Sequence, residues 1–235
     1  MRSARIAELL QPFLEDANSP PLREGSIFYE RISMYVDILL RWNARINLTA
    51  IRDSEEIVTR HFGESLFAAR HLFPGVSPVP ILTSVAKGFD SGDNWLASNP
   101  RVADLGSGAG FPGLPIKLWA PEIGLTLIES NQKKAAFLRE VTRALTLTGV
   151  NIYNGRAETI PASSFDIVTM RAVDRLNLAL PIAAALLAPA GRLALLISSR
   201  QFDQVRQSVP TLLWDAPVSV PRSESGILAL SKIAP

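Results

Sequence analysis

The run Asp104-Leu105-Gly106-Ser107-Gly108-Ala109-Gly110-Phe111-Pro112-Gly113 ends a short apolar stretch and opens an apolar helical one, residues 113–119. Glycines at this spacing permit positive φ and bring bare backbone against a ligand. A strand passing through such a loop into a helix begins a crossover unit, and that commits the chain to parallel pairing. The residues that follow keep the pattern. Apolar runs at 102–105, 125–128, 150–153, 165–168 and 193–197 are predicted strands, with helices predicted at 113–119, 131–147, 174–187 and 201–209. Two more strand-like runs, 212–220 and 226–233, are expected to add a terminal hairpin. Strand–helix alternation of this kind predicts an α/β fold with helices on both faces of the sheet.

Before residue 74 the period is helical. Ile6, Leu9, Leu10, Phe13 and Leu14 form one stripe, and Ile27, Phe28, Ile32, Tyr35, Val36, Leu39, Leu40 and Trp42 form a second. Asn47-Leu48-Thr49-Ala50-Ile51 breaks the pattern, and Asp53 with Glu56 reads as a capping pair for a third helix through His71. Residues 74–100 are rich in Pro, Gly, Ser and Asp. The expected organisation is a helical lobe at 1–73, a linker or surface insertion at 74–100, and the α/β domain at 101–235, a total length that suits one large unit plus a lobe.

Composition narrows the chemistry. The chain has no cysteine, which excludes disulfides, a thiolate nucleophile and thiolate metal sites. With His61 and His71 as its two histidines, no metal site is expected. A net charge of +2 makes any basic surface local. The start of the chain carries Glu8, Glu15 and Asp16 and shows no signal-peptide block. The most apolar stretch, 176–190, is broken by Pro181 and Pro189 and is too short to span a bilayer, so it reads as a buried helix flanked by strands. A cytoplasmic protein without a membrane segment is the expectation.

Gly108, Gly110 and Gly113 satisfy the dinucleotide pattern G-x-G-x-x-G, which keeps a nicotinamide-dependent oxidoreductase in view. Asp104 argues against it, because a carboxylate before the turn sits poorly beside a pyrophosphate. It suits the ammonium of S-adenosylmethionine, whose carboxylate the loop amides and helix start can hold. Glu129 ends the second strand, where ribose hydroxyls are bound in nucleotide-binding sheets. Arg156-Ala157-Glu158 follows the third, where the adenine is expected.

Taken together, several segments resemble one family. They are Trp42-Asn43 with Asn47-Leu48-Thr49-Ala50-Ile51, then Arg60-His61-Phe62-Gly63-Glu64-Ser65-Leu66, and the glycine loop. Leu127-Ile128-Glu129-Ser130 with Lys133-Lys134, Arg156-Ala157-Glu158 and Arg171-Ala172-Val173 complete the set. The chain resembles the RsmG (GidB) family of bacterial 16S rRNA guanine-N7 methyltransferases. The resemblance implies a class I S-adenosylmethionine-dependent methyltransferase fold, Rossmann-like, with a mostly parallel seven-stranded sheet behind an N-terminal helical lobe. It implies cofactor contacts at Gly106, Phe111, Glu129, Ser130, Asn131, Ala157 and Glu158, and a site arginine at Arg171. With the loop reading above, Asp104, Gly108 and Gly110 join that set. The implied partner is 16S rRNA in the small ribosomal subunit or its precursor, met by a monomer.

Guanine N7 already carries a lone pair, so its methylation needs alignment and no general base. A bidentate arginine grip on O6 and N7 would occupy that pair. Arg171 is therefore expected to hold a phosphate, O6 alone, or the cofactor carboxylate. Arg60, His61, Lys133 and Lys134 are the RNA-binding candidates, while Arg139 and Arg143 read as a solvated helix face. The chain departs from the family in three places. Ile197 and Ser198 replace a lysine–glycine pair, residues 221–235 lack a basic tail, and Glu64 stands where aspartate is common. The first two remove positive charge, which keeps open a non-catalytic RNA- or ribosome-binding module that retains the cofactor fold.

Overall fold

The computed structural model describes residues 1–15, 25–78, 99–172 and 176–233. Most of the expected linker, including the apolar island at 79–82, lies outside the described residues, as does Asp174 at the expected start of the seventh helix.

The lobe begins with α1 (Ser3–Leu14), which buries the first apolar stripe, and α2 (Ile27–Asn43). Helix α2 buries Phe28, Ile32, Tyr35, Val36 and Leu39 of the second stripe together with Tyr29 and Ile38, but leaves Ile27 56% exposed and Leu40 and Trp42 only partly buried. Asp53 caps α3 (Ser54–Glu56) by accepting from Glu56 N–H at 2.8 Å. The single helix expected from here to His71 is instead interrupted. A π-helical segment (Ile57–Gly63) widens the turn before α4 (Glu64–Leu72). Gly63 permits the close packing there, since a Cβ would fall 2.6 Å from the Phe13 ring.

The sheet strands are β1 (Arg101–Leu105), β2 (Gly124–Ile128), β3 (Val150–Tyr153), β4 (Phe165–Arg171), β5 (Leu187–Ser198), β6 (Leu212–Trp214), β7 (Val218–Ser219) and β8 (Gly226–Ile233). Their order is β3-β2-β1-β4-β5-β8-β6, with β7 also on β8. β1 to β5 pair in parallel, and β8 runs antiparallel to β5. The expected strand at 212–220 is split at Asp215-Ala216-Pro217 into β6 and β7, which lie along one edge of β8. They occupy one position in the sheet, so eight strands fill seven places.

Between the strands run α5 (Gly113–Trp119), α6 (Gln132–Ala144), α7 (Leu176–Leu186) and α8 (Ser199–Ser208). Strand residues alternate between two clusters, as period-two side chains must. Val102, Leu125, Leu127, Ile167 and Leu196 pack with the lobe, α5 and α6. Ala103, Leu105, Val168, Met170 and Leu195 pack with α7 and α8. The apolar stretch at 176–190 corrects the buried-helix expectation: α7 buries Leu180, Ala183 and Leu186 but leaves Leu178 58% exposed, and β5 already begins at Leu187. Strand order reverses beside β1, where connections leave β1 and β4 for opposite halves of the sheet. Open α/β sheets bind ligands at the carboxyl ends of the strands at such a switch point.

Candidate cofactor and substrate site

The glycine loop leaves β1 at that switch point. Gly106 N–H and Ser107 N–H donate to Ile128 O at 3.0 and 3.1 Å, tying the loop to the end of β2. Gly106, Gly108 and Gly110 all have positive φ, at 72°, 54° and 84°. Gly110 has no alternative, since a Cβ would sit 2.4 Å from Tyr35 Oη and 2.6 Å from Leu114. Tyr35 reaches in from α2 and donates its hydroxyl to Ala109 O at 2.5 Å. Burial raises its pKa well above the ordinary value, which keeps the phenol a donor. The sequence placed Tyr35 only in a core stripe; its grip on the loop was not readable from spacing.

Asp104 is fully buried. Its carboxylate accepts from Gly113 N–H at 3.2 Å and Thr169 Oγ1–H at 3.0 Å. Burial pushes its pKa up to about 6 against these bonds. It thus braces the loop against α5 and β4 and does not line the cleft, so the structure does not offer it as the ammonium partner expected from the sequence. Glu129 does line it: Oε2 accepts from Gly108 N–H at 2.9 Å and Oε1 from Asn131 N–H at 2.7 Å. Asn131 is turned to helix capping, accepting from Lys133 and Lys134 N–H. Phe111 also differs from expectation, being buried between the rings of Tyr35 (5.4 Å, 7° apart in plane) and His61 (4.8 Å).

The resulting cleft has a volume of about 320 Å³. Gly106, Glu129, Ser130, Ala157 and Glu158 line it, and Leu178, Ala179 and Ile182 of α7 form an apolar wall. Exposure of α7 is explained by this wall, which suits the face of a nucleobase. Glu129 stands where a ribose is held in dinucleotides and in S-adenosylmethionine alike, and Glu158 adds a second carboxylate that suits a cationic, phosphate-free nucleoside such as S-adenosylmethionine.

Arg171, ending β4, is held by the π-helical segment and α4. Nε and Nη2 donate to Glu64 Oε2 at 3.1 and 2.9 Å, Nη2 donates to Arg60 O at 3.0 Å, and Nη1 meets His61 Nδ1 at 2.8 Å. Since the guanidinium can only donate, Nδ1 accepts, and the ring proton sits on Nε2 facing Thr49 Oγ1 at 2.7 Å. Thr49 is placed by Asn43, whose Oδ1 accepts from Leu48 and Thr49 N–H. His61 has its pKa lowered to about 3, chiefly by burial and then by Arg171 and Arg60. Buried, neutral and bonded at both nitrogens, His61 is a brace for Arg171 and not the RNA contact expected from the sequence. Arg60 and Lys133 are exposed and Lys134 is partly so.

A second cavity, about 260 Å³, is lined by Arg171 itself. It is also lined by Arg60 and Glu64 from the lobe, Ile197, Ser198 and Gln201 around the end of β5, and Ser223 and Ser225 before β8. Ser198 N–H donates to Gln201 Oε1 at 3.0 Å, so the position where the lysine–glycine pair is missing starts α8 instead. Among the described residues, no group of three or more His, Asp or Glu side chains is placed to share a metal ion, and no helix is long and apolar enough to cross a membrane.

The family model described as "GidB: rRNA small subunit methyltransferase G" matches residues 28–77 and 84–223. The chain belongs to this family. A protein named ribosomal RNA small subunit methyltransferase G from Xylella fastidiosa (strain 9a5c) is 36% identical over 191 residues, 80% of this chain and 78% of that one. A protein of the same name from Chloroflexus aggregans is 33% identical over 228 residues, covering 92% and 85%. Solved structures agree on the fold. A SAM-dependent methyltransferase from Aquifex aeolicus superposes with TM-score 0.50 at 16% identity, over 58% of this chain and 83% of that one. TYW2 from P. horikoshii, in complex with MeSAdo, gives 0.53 at 15% identity, over 74% and 62%. The class I methyltransferase architecture and S-adenosylmethionine as methyl donor follow for this family member.

Proposed function

We infer that this protein transfers a methyl group from S-adenosylmethionine to N7 of a guanosine in 16S rRNA. Family membership supports the substrate, and the cofactor cleft at the ends of β1 to β3 beside a cavity lined by Arg171 supports the chemistry. In this reading Gly106, Gly108 and Gly110 bring the loop backbone to the donor's methionyl end. Glu129 keeps a second lone pair on each oxygen for ribose hydroxyls, and Ala157 and Glu158 meet the adenine. Arg171 has four of its five N–H donors engaged within the described residues. One donor remains, which excludes a bidentate grip on the base and suits a single contact to O6, a phosphate or the cofactor carboxylate. The residues supply positioning alone, since no proton leaves guanine N7 during transfer.

The physiological substrate in this reading is the assembled small subunit or a precursor, recognised by a cytoplasmic monomer. Arg60, Lys133 and Lys134 are the RNA contacts, and a net charge of +2 favours recognition of particle shape over strong grip on loose RNA. Aniline cleavage of reduced rRNA tests the reading. Small-subunit rRNA from cells lacking this protein should lose one cleavage at a modified guanosine, and regain it when purified enzyme and S-adenosylmethionine are added. An unchanged pattern would sink the substrate assignment. Cofactor binding without transfer would favour the non-catalytic module.

A further inference from the structure

The second cavity lies beyond the end of β4 from the cofactor cleft, and α7 touches both: Leu176 lines the second cavity, Leu178 and Ile182 the first. The strand end between them is strained, for Ala172 has φ +49°, a conformation seldom kept by a residue with a Cβ unless surroundings impose it. Leu196, Ile197 and Ile227 give the second cavity apolar walls suited to the faces of a base. Among the described residues Glu64 is the one carboxylate on its lining. Its Oε2 is taken twice by Arg171, but Oε1 lies 3.7 Å from Arg60 Nε, too far for a hydrogen bond, and keeps its acceptor capacity.

We propose that this cavity receives the target guanine and that Glu64 Oε1 reads it by accepting from N1–H and the N2 amino group. The proposal rests on the guanine-N7 reading above and adds the base pocket to it. A carboxylate at that edge matches guanine and repels adenine, which presents a lone pair at N1. N1 is in the six-membered ring and the N2 amino group is attached to it, so this grip leaves the N7 lone pair on the five-membered ring untouched. In the transfer that pair forms the N7–CH3 bond, the S–CH3 bond breaks with its electrons returning to sulfur, and the positive charge passes from sulfonium to base. A base gaining positive charge makes N1–H a stronger donor. The bond to Glu64 therefore tightens in the transition state, which is the kind of contact that raises rate. The loss of the lysine–glycine pair at Ile197 and Ser198 is consistent with a neutral wall facing the base.

Small subunits lacking the modification, carrying either guanosine or inosine at the target, provide the test, because inosine lacks the N2 amino group. Wild type should methylate the guanosine subunits at least about tenfold faster in kcat/KM, and Glu64→Gln should lose most of its activity and this discrimination together. Glu64→Asp, which keeps the acceptor, should recover activity and discrimination. A role for Glu64 confined to holding Arg171 would lower rates on both substrates and leave their ratio unchanged. Ser225→Phe fills the cavity from a residue whose backbone carbonyl, not its side chain, holds Ser199 N–H. It should cut transfer at least about tenfold while S-adenosylhomocysteine affinity stays within about twofold. Equal wild-type rates on both subunits, or full activity of Ser225→Phe, would overturn the pocket. Failure of wild type to methylate guanosine subunits would instead overturn the guanine-N7 reading itself.

Discussion

The cofactor cleft over β1–β3 and the cavity over β4, β5 and β8 flank one strand end, yet they are assembled in opposite ways. The cleft draws most of its polar groups from residues 105–158, and its key bonds join successive turns of one crossover pattern: Gly108 N–H to Glu129, Glu129 to Asn131 N–H, Gly106 N–H to Ile128 O. The second cavity needs the lobe at 60–64, the end of β4, the β5–α8 junction and the turn before β8. Its central contact, Arg171 to Glu64, closes a separation of 107 residues. Such a contact exists only after long-range packing has placed both partners. Damage to the lobe should therefore reach the second cavity first, except where the lobe also touches the glycine loop.

Gly110→Ala attacks that exception and carries the largest expected effect. It forces a Cβ against Tyr35 and Leu114 at positive φ, so it should cost about 3 kcal/mol of stability and reduce S-adenosylhomocysteine binding about 100-fold or more. Denaturant titration and calorimetry measure both; near-normal values would show that lobe and loop are not locked together.

Arg171→Ala follows. It leaves Glu64, 17% exposed, without its main partner, and should lower methyl transfer about 100-fold and stability by about 3 kcal/mol. Arg171→Lys should not rescue it, because an ammonium cannot span Glu64 and His61 together. If calorimetry shows cofactor affinity falling in parallel, the remaining donor serves the cofactor carboxylate; unchanged affinity assigns it to the RNA.

Acid stability sets the two regions against each other. His61 stays neutral in the fold down to about pH 3. Its contribution is present above the unfolded value near 6.5 and is lost as pH falls towards 3, about 2 kcal/mol of it by pH 5. Asp104, raised to about 6, has the opposite sign. Its contribution is full below the unfolded value near 3.8 and is lost as pH rises through 6, about 1 kcal/mol between pH 5 and 7. Urea unfolding of wild type should thus change by only about 1 kcal/mol from pH 7 to 5. His61→Gln should become more stable relative to wild type on acidification, and Asp104→Asn less. A steep wild-type profile with no change in either variant would contradict the opposition.

The smallest effect is reserved for Lys133→Ala, on the exposed start of α6. It should leave the fold and cofactor affinity untouched and reduce the salt slope of small-subunit binding by about one. No change in slope would remove Lys133 from the RNA surface.

Much of this architecture was legible because it is written at short range. Period-two runs place β1 to β4 within a few residues, and Asp53 and Asn131 mark helix starts with their own side chains. Other features were out of reach. The π-helical turn is invisible in a helical period that continues through it, and the Pro189-Ala190-Gly191 interruption hid the early start of β5, where the pairing register shifts. Leu178 reads as core by type, but the sheet leaves it facing the cleft.

By itself the sequence determined the parallel sheet, the glycine loop and the carboxylates at the ends of its strands, since strand period, backbone freedom and position after a strand are local properties. Tertiary structure decided which of those groups line the cleft. It turned Asp104, Phe111 and His61 inward and brought Glu64 beside Arg171. Burial and charge pairing depend on neighbours distant in the chain, and no local spacing specifies them.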